Sequence, residues 1–272
     1  MTSEPGLTVP HAESTPGRHG FAKYEVLGIR FAALQIADVI RQAEAWIAAR
    51  TGAHTVTVSN VHSVMESRHN PRFAQTLNAA DLNVPDGMPI IWLGRRRGFT
   101  LPRRVYGPDL FLEFCRDTAE RGYRHYFYGS TEEVVTALIV RMKDEFPGFQ
   151  VAGYCAPPFR PLNAEEDRAI VEDIESSSAD VLWVGLGCPK QEFWMEEHRA
   201  ALTVPVIFGV GQAFNIHAGK LRQAPKWMRE HGLEWLFRLW LEPRRLWRRY
   251  LVYNTQFLFG LLMELLRGKP RA

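Results

Sequence analysis

The chain has 272 residues, of which 46% are hydrophobic, and its formal net charge is +3. This size suits one large α/β domain with an appendage or two small domains, and the composition is that of a globular protein. Three widely spaced cysteines without a Cys-x-x-Cys pair argue against a disulfide framework and a zinc site, and no apolar run approaches the roughly 20 residues of a membrane span.

The first part of the chain alternates between strand and helix patterns. Residues 1–20 carry Pro, Gly, Ser, Thr and His without an apolar core, which indicates a flexible leader and not a signal peptide. We predict a strand at residues 24–29, an amphipathic helix at 33–50 and a strand rich in β-branched residues at 54–59.

Two polar residues follow predicted strands in this part of the chain. Asn60 comes directly after the strand at residues 54–59, and Asp86 follows a short strand that Pro and Gly residues interrupt before an apolar helix. Each can simply cap the helix that follows it. Both also lie at the carboxyl ends of strands, where the sheets of α/β proteins bind their ligands.

The alternation continues through the second part of the chain. We predict strands at residues 125–128, 149–154, 181–184 and 204–210, with Gly129 in the turn after the first of these. Helix-length segments separate the strands, and no internal repeat is present. The predicted fold class is therefore α/β, with a mostly parallel sheet and helices on both faces.

A glycine turn follows the apolar strand at residues 181–184. Gly185 and Gly187 let the chain turn sharply, and the helix after them begins with Lys190, Gln191 and Glu192. The start of a helix at the end of a parallel strand presents free N–H groups and a positive dipole end, so we expect a phosphate site. An ordinary strand-to-helix turn is the alternative, because the third glycine of a dinucleotide fingerprint is replaced by Lys190.

The end of the chain carries the positive charge. From Arg222 onward eleven Lys and Arg stand against four Glu, a balance of +7 that leaves −4 for residues 1–221. We predict two helices here, at residues 224–240 and 243–267, in which four of the eight tryptophans alternate with arginines. This pattern is typical of a helix in the membrane interface, with a dimerisation helix pair as an alternative. A nucleic-acid groove would use fewer Trp and Leu.

Five motifs occur along the chain in a specific order. They are Asn60; Ala80-Asp81 with Pro85-Asp86-Gly87; Gly107-Pro108-Asp109-Leu110; Gly185-Leu186-Gly187 with Pro189-Lys190-Gln191-Glu192; and Gly232-Leu233-Glu234-Trp235 with Arg238-Leu239 and Glu242-Pro243. With these motifs the chain, over about residues 24–250, resembles the WecG/TagA/CpsF glycosyltransferases, which form glycosyltransferase family 26.

The resemblance implies an activity and a cellular place. Members of this family transfer a sugar from a UDP donor, with inversion, to a polyprenyl-diphosphate-linked saccharide in cell-surface or exopolysaccharide assembly. The sugar is N-acetylmannosamine, its uronic acid or glucose. We therefore expect a peripheral enzyme on the cytoplasmic face of the bacterial inner membrane. Its partners would be a UDP-sugar, the lipid-linked acceptor and an anionic membrane surface, without nucleic acid, and a homo-oligomer stays open.

The resemblance also divides the chain into parts. It implies a Rossmann-like core at residues 21–221, after the leader, and a helical membrane-docking appendage at residues 222–272 that completes the active site. It carries the catalytic base over to Asp86. We expect Arg238 and Arg245 of the appendage, together with the start of the helix after the glycine turn, to stabilise the departing UDP.

The other predicted site residues bind the substrates. They are Asn60, Gly107, Asp109, Gly129, Gly185, Gly187, Lys190, Gln191, Glu192, Gly211, Asn215 and Arg222. The chain departs from the family pattern at two places. Asn215-Ile216 replaces a usual Asp-Phe pair, and Gln223 replaces a usual Arg. Arg222, the residue before Gln223, can supply the charge of that Arg. These departures bear on the identity of the donor or acceptor and not on the reaction class.

Two other functional classes fit parts of the sequence. A nicotinamide or flavin oxidoreductase would need the full glycine fingerprint and an acid about 20 residues further on, which the chain lacks. A non-enzymatic, nucleotide-binding membrane adaptor would use the C-terminal helices but would leave Asp86 and Gln191 without a role. The chain contains no Asp-x-Asp triplet, so we predict transfer without a metal ion and without a cofactor.

Overall fold

A short antiparallel hairpin precedes the main sheet. The computed structural model describes residues 20–267, without the side chains of Arg245 and Arg249. The hairpin consists of β1 (Lys23–Val26) and β2 (Ile29–Ala32). The prediction of a single strand at residues 24–29 is therefore wrong. The chain reverses because the turn between the strands has positive φ angles, 49° at Leu27 and 90° at Gly28.

The main sheet is parallel throughout. Within the described residues it has six strands: β3 (His54–Ser59), β4 (Leu82–Pro85), β5 (Arg124–Gly129), β6 (Gln150–Cys155), β7 (Val181–Gly185) and β8 (Val206–Gly209). Their order across the sheet is β4-β3-β8-β7-β5-β6, and every neighbouring pair runs parallel. This arrangement confirms the predicted α/β class.

Nine helices of the described residues precede, connect or follow the strands of the main sheet. They are α1 (Ile36–Ala49), α2 (Val61–His69), α3 (Pro71–Ala79), α4 (Met88–Arg96), α5 (Gly107–Thr118), α6 (Glu132–Glu145), α7 (Ala164–Ser176), α8 (Lys190–His198) and α9 (Ala213–His217). A 3₁₀ turn at Ala119–Arg121 follows α5.

The side chains of β7 explain why both faces of the sheet are covered. Val181 and Trp183 lie in a buried cluster with residues of α1, α5 and α6. Leu182 and Val184 lie in another cluster, with residues of α7 and α8. Because successive side chains of a strand point to opposite faces, a continuous apolar run needs helices on both sides.

Three helices follow the sheet: α10 (Lys226–Glu230), α11 (Glu234–Leu241) and α12 (Pro243–Leu266). We call residues 226–266 the C-terminal segment. The prediction of one helix at residues 224–240 is wrong, because α10 and α11 are separate. Gly232, at a φ of 73°, has the left-handed conformation that ends a helix and lets the chain turn.

The C-terminal segment packs against the rest of the chain through α12. Phe257 is buried in one cluster with Val64 and Met65 of α2. Nearby, the hydroxyl of Tyr253 donates to Glu66 Oε2 over 3.0 Å. No helix in the described part of the chain combines the length and the apolar composition that a membrane crossing requires. A boundary at residue 222 between core and appendage stays a prediction, as does the leader, whose residues 1–19 lie outside the described residues.

Candidate active site

Several of the predicted site residues meet at the carboxyl edge of the sheet. Asn60 follows β3, Asp86 follows β4, Gly185 ends β7 and Gly211 lies just beyond β8. The parallel arrangement brings these ends together, as expected from the sequence. Three strand spacings separate β4 from β7, so Asp86 lies roughly 14 Å from the glycine turn. A ligand that contacts both must extend along this edge.

Asn60 both caps a helix and contacts Asp86. Its Oδ1 accepts from the backbone N–H of His62 over 3.0 Å, which is the capping role considered from the sequence. The Asn60 side chain also forms a hydrogen bond to the Asp86 side chain. Since Oδ1 serves the cap, the amide N–H is left to donate to the carboxylate.

Arg104 holds the other side of Asp86 and was not among the predicted site residues. The backbone N–H of Val105 donates to Pro85 O over 2.8 Å, so this segment runs beside the end of β4. Arg104 Nη1 then donates to the main-chain oxygen of Asp86 at 3.1 Å and lies 3.4 Å from its Oδ1. The Asp86 side chain is only 15% exposed, and no hydrogen bond from residues 20–267 reaches its Oδ1.

Burial is the largest influence on the Asp86 carboxyl. It raises the pKa from 3.8 to about 7, and the nearby Glu234 carboxylate adds to the rise. Arg104, Arg238 and the hydrogen bond from Asn60 act in the opposite direction without cancelling it. The group is therefore balanced between its protonated and ionised forms near neutral pH.

The C-terminal segment contributes a second carboxylate to this edge. Glu234, the first residue of α11, accepts a hydrogen bond from Arg104 Nη2 and another from the Tyr106 hydroxyl, at 3.2 Å. Arg238 Nε lies 3.7 Å from Glu234 Oε1 and acts on the pKa of Asp86. Arg238 thus lies near Asp86, and its catalytic role stays a prediction. The Arg245 side chain lies outside the described residues.

A further ion pair joins the C-terminal segment to α5. Arg229 Nη1 contacts both carboxylate oxygens of Asp109, at 2.9 and 3.0 Å, and its guanidinium lies 5.3 Å from the centre of the Tyr106 ring. Asp109, predicted to bind substrate, is therefore already engaged by an arginine that the sequence analysis did not assign to the site.

Glycines allow the strand ends to approach closely at the other end of the edge. Gly129 has a φ of 120°, and a Cβ added to it would lie 2.6 Å from the carbonyl carbon of Gly185. A Cβ on Gly185 would in turn lie 2.7 Å from the Phe214 ring. Gly187, with a φ of 82°, faces open space. Residues with a Cβ would separate β5, β7 and α9 at this point.

Gln191 fixes the glycine turn from inside. Its Oε1 accepts from the backbone N–H of Gly187 at 3.2 Å, and its Nε2 donates to Glu192 Oε1 at 2.9 Å. Gln191 and Glu192 are both buried, and burial raises the Glu192 pKa to about 7. Lys190 is exposed.

The start of α8 offers fewer free N–H groups than the sequence pattern suggested. The Gln191 N–H donates to Gly187 O at 3.0 Å, and the backbone N–H of Glu192 lowers the pKa of its own carboxyl. The dipole of α8 still points its positive end at the turn.

The remaining predicted residues lie around this edge. A Cβ on Gly107 would lie 3.4 Å from Val210 O, and Gly211 lies beside Gln191. The backbone oxygen of Asn215 accepts from the N–H groups of Lys220 and Leu221, while Arg222 is exposed. Among the described residues, no group of three or more His, Cys, Asp or Glu could hold a metal ion. Metal independence stays a prediction.

Comparisons with known proteins agree with these features. The family model described as "Glycosyl transferase WecG/TagA/CpsF family" matches residues 24–271. A protein of Bacillus spizizenii strain W23, named N-acetylglucosaminyldiphosphoundecaprenol N-acetyl-beta-D-mannosaminyltransferase, is 33% identical over 219 residues, which cover 80% of this chain and 82% of the relative. A protein of the same name from Bacillus subtilis strain 168 is 29% identical over 180 residues, 66% of this chain and 68% of the relative.

Proposed function

Because the chain belongs to the WecG/TagA/CpsF family of glycosyl transferases and is an enzyme, we propose that it transfers N-acetylmannosamine from a UDP donor to polyprenyl-diphosphate-linked N-acetylglucosamine. The two similar Bacillus proteins carry this sugar and this type of acceptor in their names. The uronic acid of N-acetylmannosamine and glucose are the alternative sugars.

The environment of Asp86 is the observation that carries the proposal. An inverting transfer needs a base that takes the proton of the acceptor hydroxyl, and such a base works best when its pKa is near the working pH. Asp86 has a pKa of about 7, lies at the carboxyl edge of the sheet and keeps Oδ1 without a hydrogen bond from the described residues. Its backbone is fixed by a 2.9 Å bond from its N–H to Ser59 O.

The reaction proceeds in one displacement. The acceptor hydroxyl gives its proton to Asp86 as its oxygen forms a bond to the anomeric carbon of the donor sugar. The bond from that carbon to the diphosphate oxygen breaks on the opposite side, and UDP leaves with the electron pair. The sugar is therefore inverted, and the proton on Asp86 later passes to water.

Positive charge for the departing UDP comes from two sources in this proposal. One is Arg238, whose side chain lies beside Glu234 at 3.7 Å and is 27% exposed. The other is the start of α8 with the exposed Lys190. Charges that are fixed in place before the reaction stabilise a leaving diphosphate most effectively.

We assign the exposed aromatic residues of the C-terminal segment to membrane docking. The exposed fractions are 58% for Trp227, 76% for Trp240 and 53% for Trp247. Exposed arginines, among them Arg244 and Arg248, lie near them in sequence and attract anionic headgroups. Docking through this segment would place the active site beside a lipid-linked acceptor at the cytoplasmic face of the membrane.

Calorimetric titration with UDP and a panel of UDP-sugars tests the donor class. We expect UDP to bind and UDP-N-acetylmannosamine to bind and turn over with the lipid-linked acceptor. An oxidoreductase would show no affinity for UDP. A nucleotide-binding adaptor would bind UDP but transfer no sugar, and either result would overturn the proposal.

Chelation tests the predicted metal independence. Activity in the presence of EDTA should match activity without it, because positive side chains and the α8 dipole supply the charge. A loss of activity that magnesium or manganese restores would contradict this prediction.

A further inference from the structure

Two carboxylates share one guanidinium at the candidate site. Arg104 directs Nη2 to Glu234 and Nη1 to Asp86, whose main-chain oxygen lies at 3.1 Å and whose Oδ1 lies at 3.4 Å. The guanidinium also lies 4.2 Å from the centre of the Tyr106 ring. Side-chain exposure is only 13% for Arg104, 14% for Glu234 and 15% for Asp86, so their charges interact with little screening by water.

The two contacts of Arg104 are unequal. Its hydrogen bond to Glu234 is direct and charge-assisted, whereas the 3.4 Å approach to Asp86 Oδ1 is an ion pair without a hydrogen bond to that atom. The Tyr106 hydroxyl, which donates to Glu234 at 3.2 Å, holds the glutamate in place. Arg104 therefore interacts more strongly with Glu234 than with Asp86.

Without Glu234, Arg104 would turn fully to Asp86. A direct arginine–aspartate pair would stabilise the ionised carboxylate and occupy the oxygen that has to accept the proton. An aspartate so paired is a weak base. Glu234 prevents this pairing by holding the guanidinium and by offsetting its charge.

We propose that Glu234 is a positioning residue that restrains Arg104 and so keeps Asp86 free to act as the base. This inference rests on the proposed function, in which Asp86 is that base. Glu234 comes from α11 of the C-terminal segment, 130 positions from Arg104 in sequence.

The same helix connects this contact to the surface assigned to membrane docking. Trp235 and Leu236 follow Glu234 directly in α11 and are 38% and 45% exposed. Trp240 of the same helix is 76% exposed. The helix that restrains Arg104 therefore also carries exposed apolar side chains.

The pH dependence of turnover distinguishes this role from a merely structural ion pair. The charged and polar groups near Asp86 include Arg104, Glu234, Arg238, Asn60 and Tyr106. Glu234→Gln keeps the size of the side chain and removes its charge, so the acid limb of the kcat profile should move to lower pH by about one unit. Turnover on the pH plateau should fall by up to about tenfold, because the base is weaker, while the KM for the donor should change little.

Two further variants serve as controls. Glu234→Asp keeps the charge but withdraws it from Arg104, so its acid limb should lie between those of wild type and Glu234→Gln. Arg229→Gln breaks another ion pair between the C-terminal segment and the core, the one to Asp109, and should leave the acid limb in place. Thermal unfolding confirms that each variant is folded, and either Glu234 variant suffices to decide.

An unmoved acid limb in the Glu234 variants would overturn the inference, as would an equal shift in Arg229→Gln. The role of Asp86 as the base and the positioning role of Glu234 can be contradicted separately. If Asp86→Asn keeps its activity, the assignment of the base is wrong. If Asp86→Asn is inactive but the Glu234 variants keep the wild-type acid limb, only the positioning role is wrong.

Discussion

Asp86 and Glu192 are both carboxylates whose pKa is raised to about 7 by desolvation, but their surroundings differ. Asp86 is 15% exposed and lies between Arg104 and Asn60 at the edge of the sheet. Glu192 is 1% exposed and accepts from Gln191 Nε2 at 2.9 Å. The Asp86 side chain is thus the more accessible of the two. Glu192 acts through Gln191, which holds the glycine turn.

The burial of Glu192 predicts a specific pH dependence of stability. Its folded pKa of about 7 lies above the ordinary 4.5, so the folded state binds the proton more tightly than the unfolded chain. The contribution of this group to the free energy of unfolding falls as the pH rises from about 4.5 to about 7 and then levels off. The free energy of unfolding of Glu192→Gln, relative to that of wild type, should therefore rise by about 2–3 kcal/mol between pH 5 and pH 8.

Urea denaturation of both proteins at the two pH values measures this gain. Glu196→Gln, at an exposed position of the same helix, is the matched control and should track wild type at both pH values. A constant difference between Glu192→Gln and wild type across this range would contradict the assigned shift.

At the scale of elements, the turn from β7 into α8 illustrates how local sequence fixes part of the site. The apolar run at residues 181–184 and the glycines after it predicted the strand and the turn correctly, and α8 begins at Lys190. What the pattern could not predict is that the amide of Gln191 turns back to hold Gly187 instead of facing outward. That contact depends on the buried Glu192 carboxylate, which fixes the orientation of the amide.

Gln191→Ala should weaken binding of the UDP-sugar about tenfold. The substitution removes the acceptor of the Gly187 N–H and leaves Glu192 without its donor, so the turn loses its defined geometry. Titration of UDP-sugar against the variant checks the effect. Gln150→Ala, at an exposed position where β6 begins, provides the control at the opposite edge of the sheet. Unchanged affinity in Gln191→Ala would place the donor elsewhere.

The elements that the sequence predicted wrongly share one cause. The strand at residues 24–29 became a hairpin and the helix at 224–240 became two helices, each at a glycine with positive φ. A single glycine inside a periodic pattern is tolerated in many helices and strands, so its conformation depends on packing that the pattern does not show. Gly28 and Gly232 lie where the chain turns back onto the core.

The site shows the same division between local and distant information. Asn60, Asp86 and the glycine turn were predictable because each follows a strand, and parallel strands end at one edge. Arg104 and Glu234 meet across 130 positions of sequence. No local pattern indicates such a contact, although Glu234 belongs to one of the family motifs.

At the scale of the whole molecule, the C-terminal segment contributes residues both to the candidate site and to the surface assigned to membrane docking. Glu234 and Arg238 of α11 face Asp86, while Trp240 of the same helix is 76% exposed. The C-terminal segment also packs on α2 through the buried Phe257, so deleting it would uncover apolar residues of the core. Point substitutions therefore separate its two roles more cleanly than truncation.

Arg238→Ala should lower turnover, whereas Trp240→Ala should lower binding to vesicles. Arg238→Ala should remove about 3 kcal/mol of transition-state stabilisation and so lower turnover. Its binding to anionic vesicles should stay nearly unchanged. Trp240→Ala should weaken vesicle binding several-fold and spare turnover on a detergent-soluble acceptor. Vesicle sedimentation and a transfer assay on the same preparations measure both quantities. Arg248→Ala, an exposed arginine on α12, should behave like Trp240→Ala. Loss of vesicle binding without loss of turnover in Arg238→Ala would make that arginine an anchor only.

The most direct test of the account is the transfer of labelled N-acetylmannosamine from UDP to polyprenyl-diphosphate-linked N-acetylglucosamine, compared between wild type and Asp86→Asn. The asparagine keeps the size of the side chain and cannot take the proton. We expect transfer to fall by roughly 10²-fold or more while UDP affinity, measured by calorimetry on both proteins, stays nearly intact. Transfer by Asp86→Asn within a few-fold of wild type would contradict the assignment of Asp86 as the catalytic base.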